Sequence, residues 1–457
     1  MIHFSSSLIE SDMRVKTYLA ALLLVAATAS LAAAQPRPPI RQLGAVTAKS
    51  TEALGGATGI RQLPSGKVLV NDVAKRRVLM FDPSLASFTV IADSTSATAN
   101  AYSGRIGGLI SYRGDSTIFV DPTSLSMLVI DGSGKIARVM SVPRPQDAIM
   151  LANGATGAAA FDASGRLVYR APPNFGRPNI GPNGSFSPPD IPDSAAIVRI
   201  ELASRKLDTL GFIKTPKIKF DVSRDDNGGM RITSQINPLP VVDDWAVLAD
   251  GSVAFVRGHD YHVDFTNADG TRTSATKLPF DWQRLTDEDK SAFIDSLKAA
   301  RARQGANAPM IGFGGGGAAG GVGIGGGGPQ MVIIGGPAAP GGGGPPGGGP
   351  NVRAGTGGNG ANVQLNFVPA SELPDYKPPF FAGSVRADTE GNLWIRTIPT
   401  SKIAGGPVYD VVNRKGELVD RVQIPVDRTI IGFGPDGSVY LAARDNSTVY
   451  LERAKVR

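Results

Sequence analysis

Four arginines stand at positions that suit the binding of an anion. Each follows a turn glycine and a short apolar run; they are Arg170, Arg257, Arg396 and Arg444. A guanidinium group offers paired N–H donors to a carboxylate or a phosphate, so arginines that share one opening form an anion site. They lie five, six, five and seven residues after the glycine, however, and successive strand residues point to opposite faces. The four cannot all point in one direction, and the alternative is that each pairs with a nearby aspartate.

Carboxylate and amide oxygens end two other strands and one of the arginine strands. Asn71 and Asp72 close one apolar run, Asp121 closes the next, and Asp445 follows the last of the arginines. Such oxygens are the ligands that Ca²⁺ prefers, so Asn71, Asp72 and Asp121 are the candidate ligands of a metal-dependent hydrolase or lyase. No glutamate stands at an equivalent strand end. We therefore predict no resident metal or cofactor, with Ca²⁺ as the alternative.

A single cluster combines histidine with aspartate. His259 and His262 lie beside Asp260 and Asp264. Along an extended strand His262 and Asp264 share a face, whereas His259 does not, and a zinc site normally needs three convergent protein ligands. The cluster predicts a His–Asp hydrogen bond in a loop. The sequence has no cysteine and no Gly-x-Ser-x-Gly turn before a helix, so no catalytic constellation is identified.

Short β-strands must position these side chains. Apolar residues follow a turn glycine at the second and fourth positions in five places: Gly66/Val68/Val70, Gly165/Leu167/Tyr169, Gly251/Val253/Phe255, Gly391/Leu393/Ile395 and Gly437/Val439/Leu441. Period-2 alternation after a fixed turn predicts a repeated hairpin. The strands group into six units, at residues 59–93, 106–142, 154–214, 243–279, 382–425 and 430–457.

The last of these units has only three strands, and the lone segment 41–47 supplies the fourth. The predicted fold is therefore all-β: a six-bladed β-propeller of four-stranded antiparallel blades, closed by the N-terminal strand. Closure removes the two exposed sheet edges that an open ring would leave. A pair of β-sandwiches or an open β-solenoid is the alternative.

One long insertion interrupts the repeat between its fourth and fifth units. Residues 280–303 contain a predicted helix that opens with a capping box at Thr286 and Asp289. Residues 304–361 are rich in Gly and Pro and carry few large apolar side chains, which predicts disorder. Tyr376 and Phe380 re-enter the fifth unit and are expected to pack over its rim. Three insertions fall in connections that open on one face, the predicted binding face; they are residues 172–194, 214–242 and 280–381.

Two stretches carry a resemblance to known propellers. Residues 66–72, GKVLVND, and 77–82, RVLMFD, resemble the NHL repeat. Units four to six, including residues 257–264, 373–380 and 391–396, are similar to secreted bacterial six-bladed propeller proteins without an assigned activity. The resemblance implies the six-bladed fold of the NHL-repeat and TolB-like group. It implies no single reaction, because propellers host hydrolases, lyases, receptors and scaffolds.

The first residues predict export. Arg14 and Lys16 precede an apolar run too short to span a bilayer, and a small-residue cleavage site follows at Ala34. Residues 1–34 therefore read as a signal peptide, starting at Met1 or Met13, and the mature chain is expected to be periplasmic or extracellular. No later segment is apolar and long enough to span a membrane.

Charge and composition limit the partners. The net charge is +7, yet no run of Lys and Arg occurs, so nucleic acid is not an expected partner. We predict a binding or protein-interaction module whose partner is an unknown protein or a small anionic ligand. The alternative is a metal-dependent hydrolase or lyase of the lactonase type at the channel mouth.

Overall fold

The computed structural model describes residues 36–173, 179–180, 186–187, 191–224, 230–304, 364–401, 404–446 and 448–456. The predicted signal peptide and residues 305–361 of the predicted disordered segment lie outside the described residues. From Pro38 onward the chain forms one compact unit.

The described residues include six sheets built on four antiparallel strands, one of which gains a fifth, parallel strand. Apart from the two N-terminal strands, neighbours along the chain are neighbours in these sheets. Two short strands come first, β1 (Ile40–Gln42) and β2 (Val46–Lys49). Sheet I contains β3 (Ala57–Gln62), β4 (Val68–Asp72), β5 (Arg77–Phe81) and β6 (Phe88–Asp93). Sheet II contains β7 (Gly108–Ser111), β8 (Thr117–Asp121), β9 (Ser126–Ile130) and β10 (Ile136–Ser141).

Sheets III and IV follow the same path, with additions in their connections. Sheet III contains β11 (Ala160–Phe161), β12 (Leu167–Arg170), β15 (Ser194–Ile200) and β16 (Leu207–Lys214). The pair β13 (Asn179–Ile180) and β14 (Phe186–Ser187) lies between β12 and β15. Sheet IV contains β19 (Asp244–Val247), β20 (Val253–Arg257), β21 (His262–Thr266) and β22 (Arg272–Ser274). A separate sheet joins β17 (Ile218–Arg224), β18 (Met230–Ile236) and β23 (Gln364–Phe367).

The last two sheets complete the set. Sheet V contains β24 (Phe380–Ala387), β25 (Leu393–Thr397), β26 (Val408–Val412) and β27 (Leu418–Gln423). Sheet VI contains β28 (Arg428–Gly434), β29 (Ser438–Asp445) and β30 (Thr448–Lys455), with β2 as its fourth strand. The α-helices of the described residues are α1 (Ala148–Ala152) and α2 (Asp287–Gln304). Short 3-10 helices occupy Ser96–Thr98, Pro145–Asp147, Gly154–Thr156 and Ala370–Glu372.

The core lies between the sheets. The inner strands of each sheet carry buried apolar residues on both faces. Each sheet therefore has to be covered on two sides. In the described residues, clusters of buried hydrophobic side chains lie between neighbouring sheets. Five of them join sheet I to II, II to III, III to IV, IV to V and V to VI. The last cluster joins VI back to I, where Tyr440 and Leu451 pack with Val68 and Val70. The sheets thus form a closed ring, and the fold is a β-propeller.

The N-terminal segment differs from the prediction of one closing strand at residues 41–47. β2 pairs antiparallel with β30 and completes sheet VI, whereas β1 adds to sheet V as a fifth strand, parallel to β27. Between them, Leu43 is buried among side chains of sheets V and VI, and the Gly44 N–H donates to the Lys455 carbonyl. The single-strand prediction was wrong because one extended segment crosses from the edge of one sheet to the edge of the next.

The turn glycines of the sequence pattern have the backbone conformation that the repeat needs. Their φ angles are +81° at Gly66, +75° at Gly165, +81° at Gly251, +86° at Gly391 and +67° at Gly437. Left-handed φ favours glycine because a Cβ atom would meet the backbone there.

Replacing Gly251 with alanine is expected to destabilise the protein by about 3 kcal/mol or more, against about 1 kcal/mol for Gly437→Ala. Both positions need positive φ, but a Cβ on Gly251 would lie 2.2 Å from the Ala163 backbone nitrogen, whereas none of the described atoms lies within 4 Å of one on Gly437. Urea denaturation of the two variants checks this. Equal losses would show that only φ matters at these turns.

Helix α2 lies over sheet V. Thr286 and Asp289 form the reciprocal capping box at its start: the Asp289 N–H donates to Thr286 Oγ1 at 3.2 Å, and the Thr286 N–H to Asp289 Oδ2 at 3.0 Å. Phe293, on its buried side, packs with Phe381 and Ile398 of the segment around β24 and β25. None of the helices in the described ranges is long and apolar enough to cross a membrane.

Candidate functional site

The first strand of each sheet is the innermost. β28 contacts β3, β3 contacts β7, and β19 contacts β24, so these strands surround the axis of the ring. Second strands end, and first strands begin, on the face that carries α2 and the β17–β18–β23 sheet. We call it the loop face. Side chains at the start of a first strand and at the end of a second strand meet there.

Arg257 joins two adjacent sheets. Its guanidinium donates to Asp264 at 2.7 Å, to Asp243 at 2.9 Å and to the Phe212 carbonyl of sheet III at 2.8 Å. Although burial opposes its charge, these carboxylates raise the pKa of Arg257. Its Nε and Nη1 atoms donate to protein acceptors, so Arg257 fits the alternative in which each arginine pairs with a nearby aspartate.

Arg257→Ala is therefore expected to lower stability by about 2 kcal/mol, because two part-buried carboxylates lose their partner. We expect no change in the affinity of the protein for anions. Thermal melting of the variant checks the expected loss of stability, and anion titration checks the unchanged affinity. A loss of anion affinity at unchanged stability would place Arg257 in the site instead.

The histidine cluster forms hydrogen bonds within one hairpin. His262 contacts Asp260 through Nδ1 at 2.7 Å and Asp264 through Nε2 at 3.2 Å, while His259 is exposed. Although burial opposes the change, the hydrogen bond with His262 lowers the pKa of Asp260, and hydrogen bonds from Arg257 and Ser274 lower the pKa of Asp264. This is the arrangement that the sequence predicted.

Asn71, Asp72 and Asp121 are buried and already have protein partners. Asn71 donates to the Gly107 carbonyl at 2.6 Å and accepts from the Tyr102 hydroxyl at 3.0 Å. The oxygens of Asp72 accept from the Gly55 and Gly56 N–H groups, 2.9 Å each, and from Arg77 at 2.9 Å. Asp121 accepts from the Ser103 and Thr123 N–H groups at 3.0 and 3.1 Å, and from the Ser103 and Ser124 hydroxyls at 2.5 and 2.9 Å.

These three residues do not fit the Ca²⁺ centre that the alternative, a lactonase-type hydrolase or lyase, would need. Asn71 and Asp72 are consecutive strand residues and point to opposite faces. Their oxygens, and those of Asp121, bind loop N–H groups, hydroxyls and an arginine of sheets I and II. Nowhere in the described part of the chain do three or more His, Cys, Asp or Glu residues converge as a metal-ligand group. We derive no chemical step through a metal.

Arg444 and Asp445 lie at the end of β29. Arg444 is half-buried, and its side chain donates no hydrogen bond to any described residue. Asp445 is exposed and accepts from Asn446 at 3.2 Å. Nothing in the described residues connects this pair with the other predicted arginines.

Arg170 and Arg396 are the two arginines that lie five residues after their glycine. Both are half-buried, and neither side chain donates a hydrogen bond to a described residue. The Nε atom of Arg170 is buried and has no hydrogen-bond partner among the described residues. Since most buried polar atoms in proteins are hydrogen-bonded, this atom sets Arg170 apart from Arg257.

Asp244 lies at the start of β19, and its charge acts on Arg170 without a direct ion pair. It is 2% exposed, and its oxygens accept from the N–H groups of Trp245 and Val385 at 2.9 Å each and from that of Ser384. Burial raises the pKa of Asp244 to about 6, although these hydrogen bonds and the charge of Arg170 act in the opposite direction.

Arg386, on the innermost strand β24, was missed by the sequence analysis. It is half-buried and donates no hydrogen bond to a described residue. Burial lowers its pKa, as does the charge of Arg396, while Tyr409 and Asp244 oppose the change. Arg386 pairs in register with Trp394, and Arg396 pairs with Tyr409. Residues paired or two apart share a face, so Arg386, Arg396 and Tyr409 lie on the same face of sheet V.

Arg170, Arg386 and Arg396 with Asp244 are called the arginine cluster below. It draws residues from sheets III, IV and V. No ion pair of 4 Å or less joins these residues, but the charge of Asp244 acts on the pKa values of Arg170 and Arg386, and the charge of Arg396 acts on that of Arg386. Three cations and one carboxylate leave an excess of positive charge in a partly dehydrated place, which is the chemistry of an anion-binding site.

A separate cavity opens on the opposite face, between sheets V and VI. It has a volume of about 300 Å³, with Trp394 and Phe433 at its floor and Arg41, Asp388 and Asp420 among its polar residues. The Trp394 indole N–H donates to Asp388 at 3.0 Å, and Arg41 pairs with Asp420. Because these groups bind one another, the cavity offers few unsatisfied groups to a ligand. Of the other aromatic residues, Phe380 is buried in the core and Tyr376 is 48% exposed.

Comparison with known proteins identifies no family for this chain and finds only distant structural similarity. No protein-family model matches the chain, and no curated protein matches it in sequence. Similar solved structures include a gluconolactonase from Xanthomonas campestris, 10% identical over 93% of this chain and 99% of that chain, with a TM-score of 0.38. A virginiamycin B lyase from Staphylococcus aureus is 11% identical over 88% and 96%, with a TM-score of 0.36. A member of the duf4221 family from Bacteroides vulgatus is 9% identical over 93% and 98%, with a TM-score of 0.41.

Proposed function

We propose that this chain is a periplasmic or secreted six-bladed propeller that binds a small anionic ligand at the arginine cluster. The observation that carries the proposal is the absence of any hydrogen bond from Arg170, Arg386 or Arg396 to a described residue. A structural arginine on this chain finds acceptors, as Arg257 does. Resemblance to the NHL-repeat and TolB-like group supports the blade count, and the signal-like N terminus supports export.

Electrostatics favour an anion at this place. Arg386 and Arg396 repel each other, and one carboxylate offsets three positive charges. Partial burial makes the repulsion more costly than it would be in water. An anion that accepts hydrogen bonds from the guanidinium groups would remove both the repulsion and the unsatisfied donors.

Thermal melting of residues 35–457 with sodium sulfate, against sodium chloride at matched ionic strength, tests the proposal. Sulfate is expected to raise the melting temperature by a few degrees, because a ligand that binds only the folded state stabilises it. Arg170→Gln and Arg396→Gln should lose the response. Arg138→Gln, on the exposed edge strand β10, is the matched control and should keep it. An equal sulfate response in all four proteins would show that the effect is non-specific.

The alternative is a metal-dependent hydrolase or lyase. A gluconolactonase and a virginiamycin B lyase are among the similar structures, but a likeness at these TM-scores carries no argument about activity. Metal analysis of the purified chain tests this alternative, together with thermal melting before and after EDTA treatment. Calcium-loaded EDTA is the control for effects of the chelator's own charge. A stoichiometric divalent ion whose removal lowers the melting temperature would favour the enzyme.

A further inference from the structure

The cavity between sheets V and VI, on the face opposite the loop face, has an apolar floor and an acidic mouth. Its apolar lining includes Trp394, Val411 and Val419 of sheet V, and Phe433 and Val439 of sheet VI. The ring centroids of Trp394 and Phe433 lie 5.1 Å apart. The volume of about 300 Å³ is at the small end for ligand pockets, so it suits a ligand with a single ring.

Val419 lines the cavity because β27 carries one extra residue. The register of β26 and β27 shifts after the pairing of Val411 with Asp420, as in a β-bulge, and Val419 has no partner on β26. Consecutive residues of a regular strand point to opposite faces, yet Val419 and Asp420 both border the cavity. The Val419 side chain is 49% exposed. Bulges re-aim side chains beside binding sites, and this one presents an apolar wall to the cavity.

The turn between β24 and β25 forms part of the mouth. Asp388 Oδ1 accepts from the N–H groups of Glu390 and Asn392 at 2.9 and 2.8 Å. Its Oδ2 accepts from the Asn392 amide and the Trp394 indole at 3.0 Å each. These donors occupy both oxygens, so Asp388 shapes the turn and does not bind a ligand directly. Glu390, at the tip of the turn, is exposed, and its carboxylate accepts no hydrogen bond from a described residue.

The lining carries an excess of negative charge. Three of its residues are acidic and one is basic: Asp388, Glu390, Asp420 and Arg41. Arg41 pairs with Asp420, and no ion pair among the described residues neutralises the other two carboxylates. We infer that the cavity binds a small organic ammonium ion, whose apolar part packs on Trp394 and Phe433 and whose ammonium group lies beside Glu390.

Charge and shape both favour such a ligand. The two carboxylates without an ion pair attract a cation and repel an anion, while the aromatic floor takes the apolar part out of water. A neutral apolar molecule would gain only the second of these contributions. The site shares no residue with the arginine cluster and does not depend on the proposed function.

Calorimetric titration of residues 35–457 with three ligands that share a phenyl ring tests the inference. At about pH 7, 2-phenylethylammonium, 2-phenylethanol and phenylacetate differ mainly in the charge of the head group. The ammonium ion is expected to bind at least about fivefold more tightly than the alcohol, and phenylacetate the most weakly. Equal affinities for the ammonium ion and the alcohol would overturn the inference, as would a lack of binding by the ammonium ion.

Glu390→Gln tests the place of the ammonium group. The affinity for 2-phenylethylammonium should fall about threefold, while that for 2-phenylethanol should not change. Glu288→Gln, on the first turn of α2, removes the same charge from an exposed position away from the cavity and should change neither affinity. An unchanged affinity in Glu390→Gln, or an equal fall in both variants, would overturn the placement beside Glu390.

Val419→Phe tests the place of the ring. The larger side chain should fill part of the cavity and weaken the binding of 2-phenylethylammonium and of 2-phenylethanol about tenfold or more. Val426→Phe is the matched control, because Val426 is 55% exposed and lies outside the lining. Unchanged binding by a folded Val419→Phe protein would overturn the inference. If that variant does not fold, the comparison of Glu390→Gln with Glu288→Gln decides.

Discussion

Replacing Arg386 with methionine is expected to raise the melting temperature of the anion-free protein by a few degrees and to abolish its stabilisation by sulfate. The arginine is half-buried, lacks a hydrogen-bond acceptor among the described residues and is repelled by Arg396. Methionine has a similar length and no charge, so it removes the repulsion and the cost of partly burying a charge. A residue kept for binding often costs stability, and its replacement then stabilises the fold.

Arg61 supplies the matched control. It also lies on an innermost strand, and burial lowers its pKa as it lowers that of Arg386. In contrast, its guanidinium donates to Thr117 Oγ1 at 3.0 Å and to the Gly114 carbonyl at 2.7 Å, which joins sheets I and II. Arg61→Met should therefore lower the melting temperature, with the sulfate response intact. A similar fall for Arg386→Met would mean that Arg386 is a structural residue.

Sulfate affinity is expected to increase as the pH falls from about 7.5 to about 5, because Asp244 becomes protonated in this interval. Burial raises the pKa of Asp244 to about 6. Loss of its charge takes the net charge of the arginine cluster from +2 to +3. Sulfate keeps its own charge of −2 over the whole interval, so the change in affinity reports on the protein.

The same group makes the stability of the anion-free protein depend on pH. The folded state binds the Asp244 proton more tightly than the unfolded state does. Its contribution is therefore present below the unfolded pKa of 3.8 and is lost as the pH rises through the folded pKa of about 6. The loss is on the order of 3 kcal/mol.

Asp244→Asn should remove the contribution of Asp244 to the pH dependence of sulfate affinity and to that of stability. Calorimetry at a series of pH values, on this variant and on the unmodified chain, is the measurement. If the sulfate affinity of the unmodified chain does not change between about pH 7.5 and about 5, Asp244 does not control the charge of the arginine cluster.

The offset from the turn glycine separates the arginines that have carboxylate partners from those that have none among the described residues. Arg170 and Arg396 lie at the same offset from their turn glycines and share the same unpartnered state, whereas Arg257, one residue later, turns to the other face and finds two aspartates. Arg386 was missed because it follows Val385 on a first strand, where alternation alone does not tell an outward polar residue from one that borders the channel.

Asp243 and Asp244 show a second limit. The two are adjacent, yet Asp243 pairs with Arg257 and Asp244 is buried against the backbone of sheet V. Which one turns inward depends on the path of β24, which is more than a hundred residues away in sequence. Local patterns set the hairpins; the partners of a side chain at a sheet border depend on contacts between sheets.

The two N-terminal strands also determine when the ring of sheets can close during folding. The pairing of Val46 with Ala454 closes a loop of about 400 residues, at an entropy cost of about 5 kcal/mol. Five sheets can form from contacts that are near in sequence, but sheet VI lacks its edge strand until the first and last residues of the propeller meet. Because synthesis proceeds from the N terminus, β2 cannot pair with β30 until nearly the whole chain has been made. Ring closure is therefore a late, long-range step in folding.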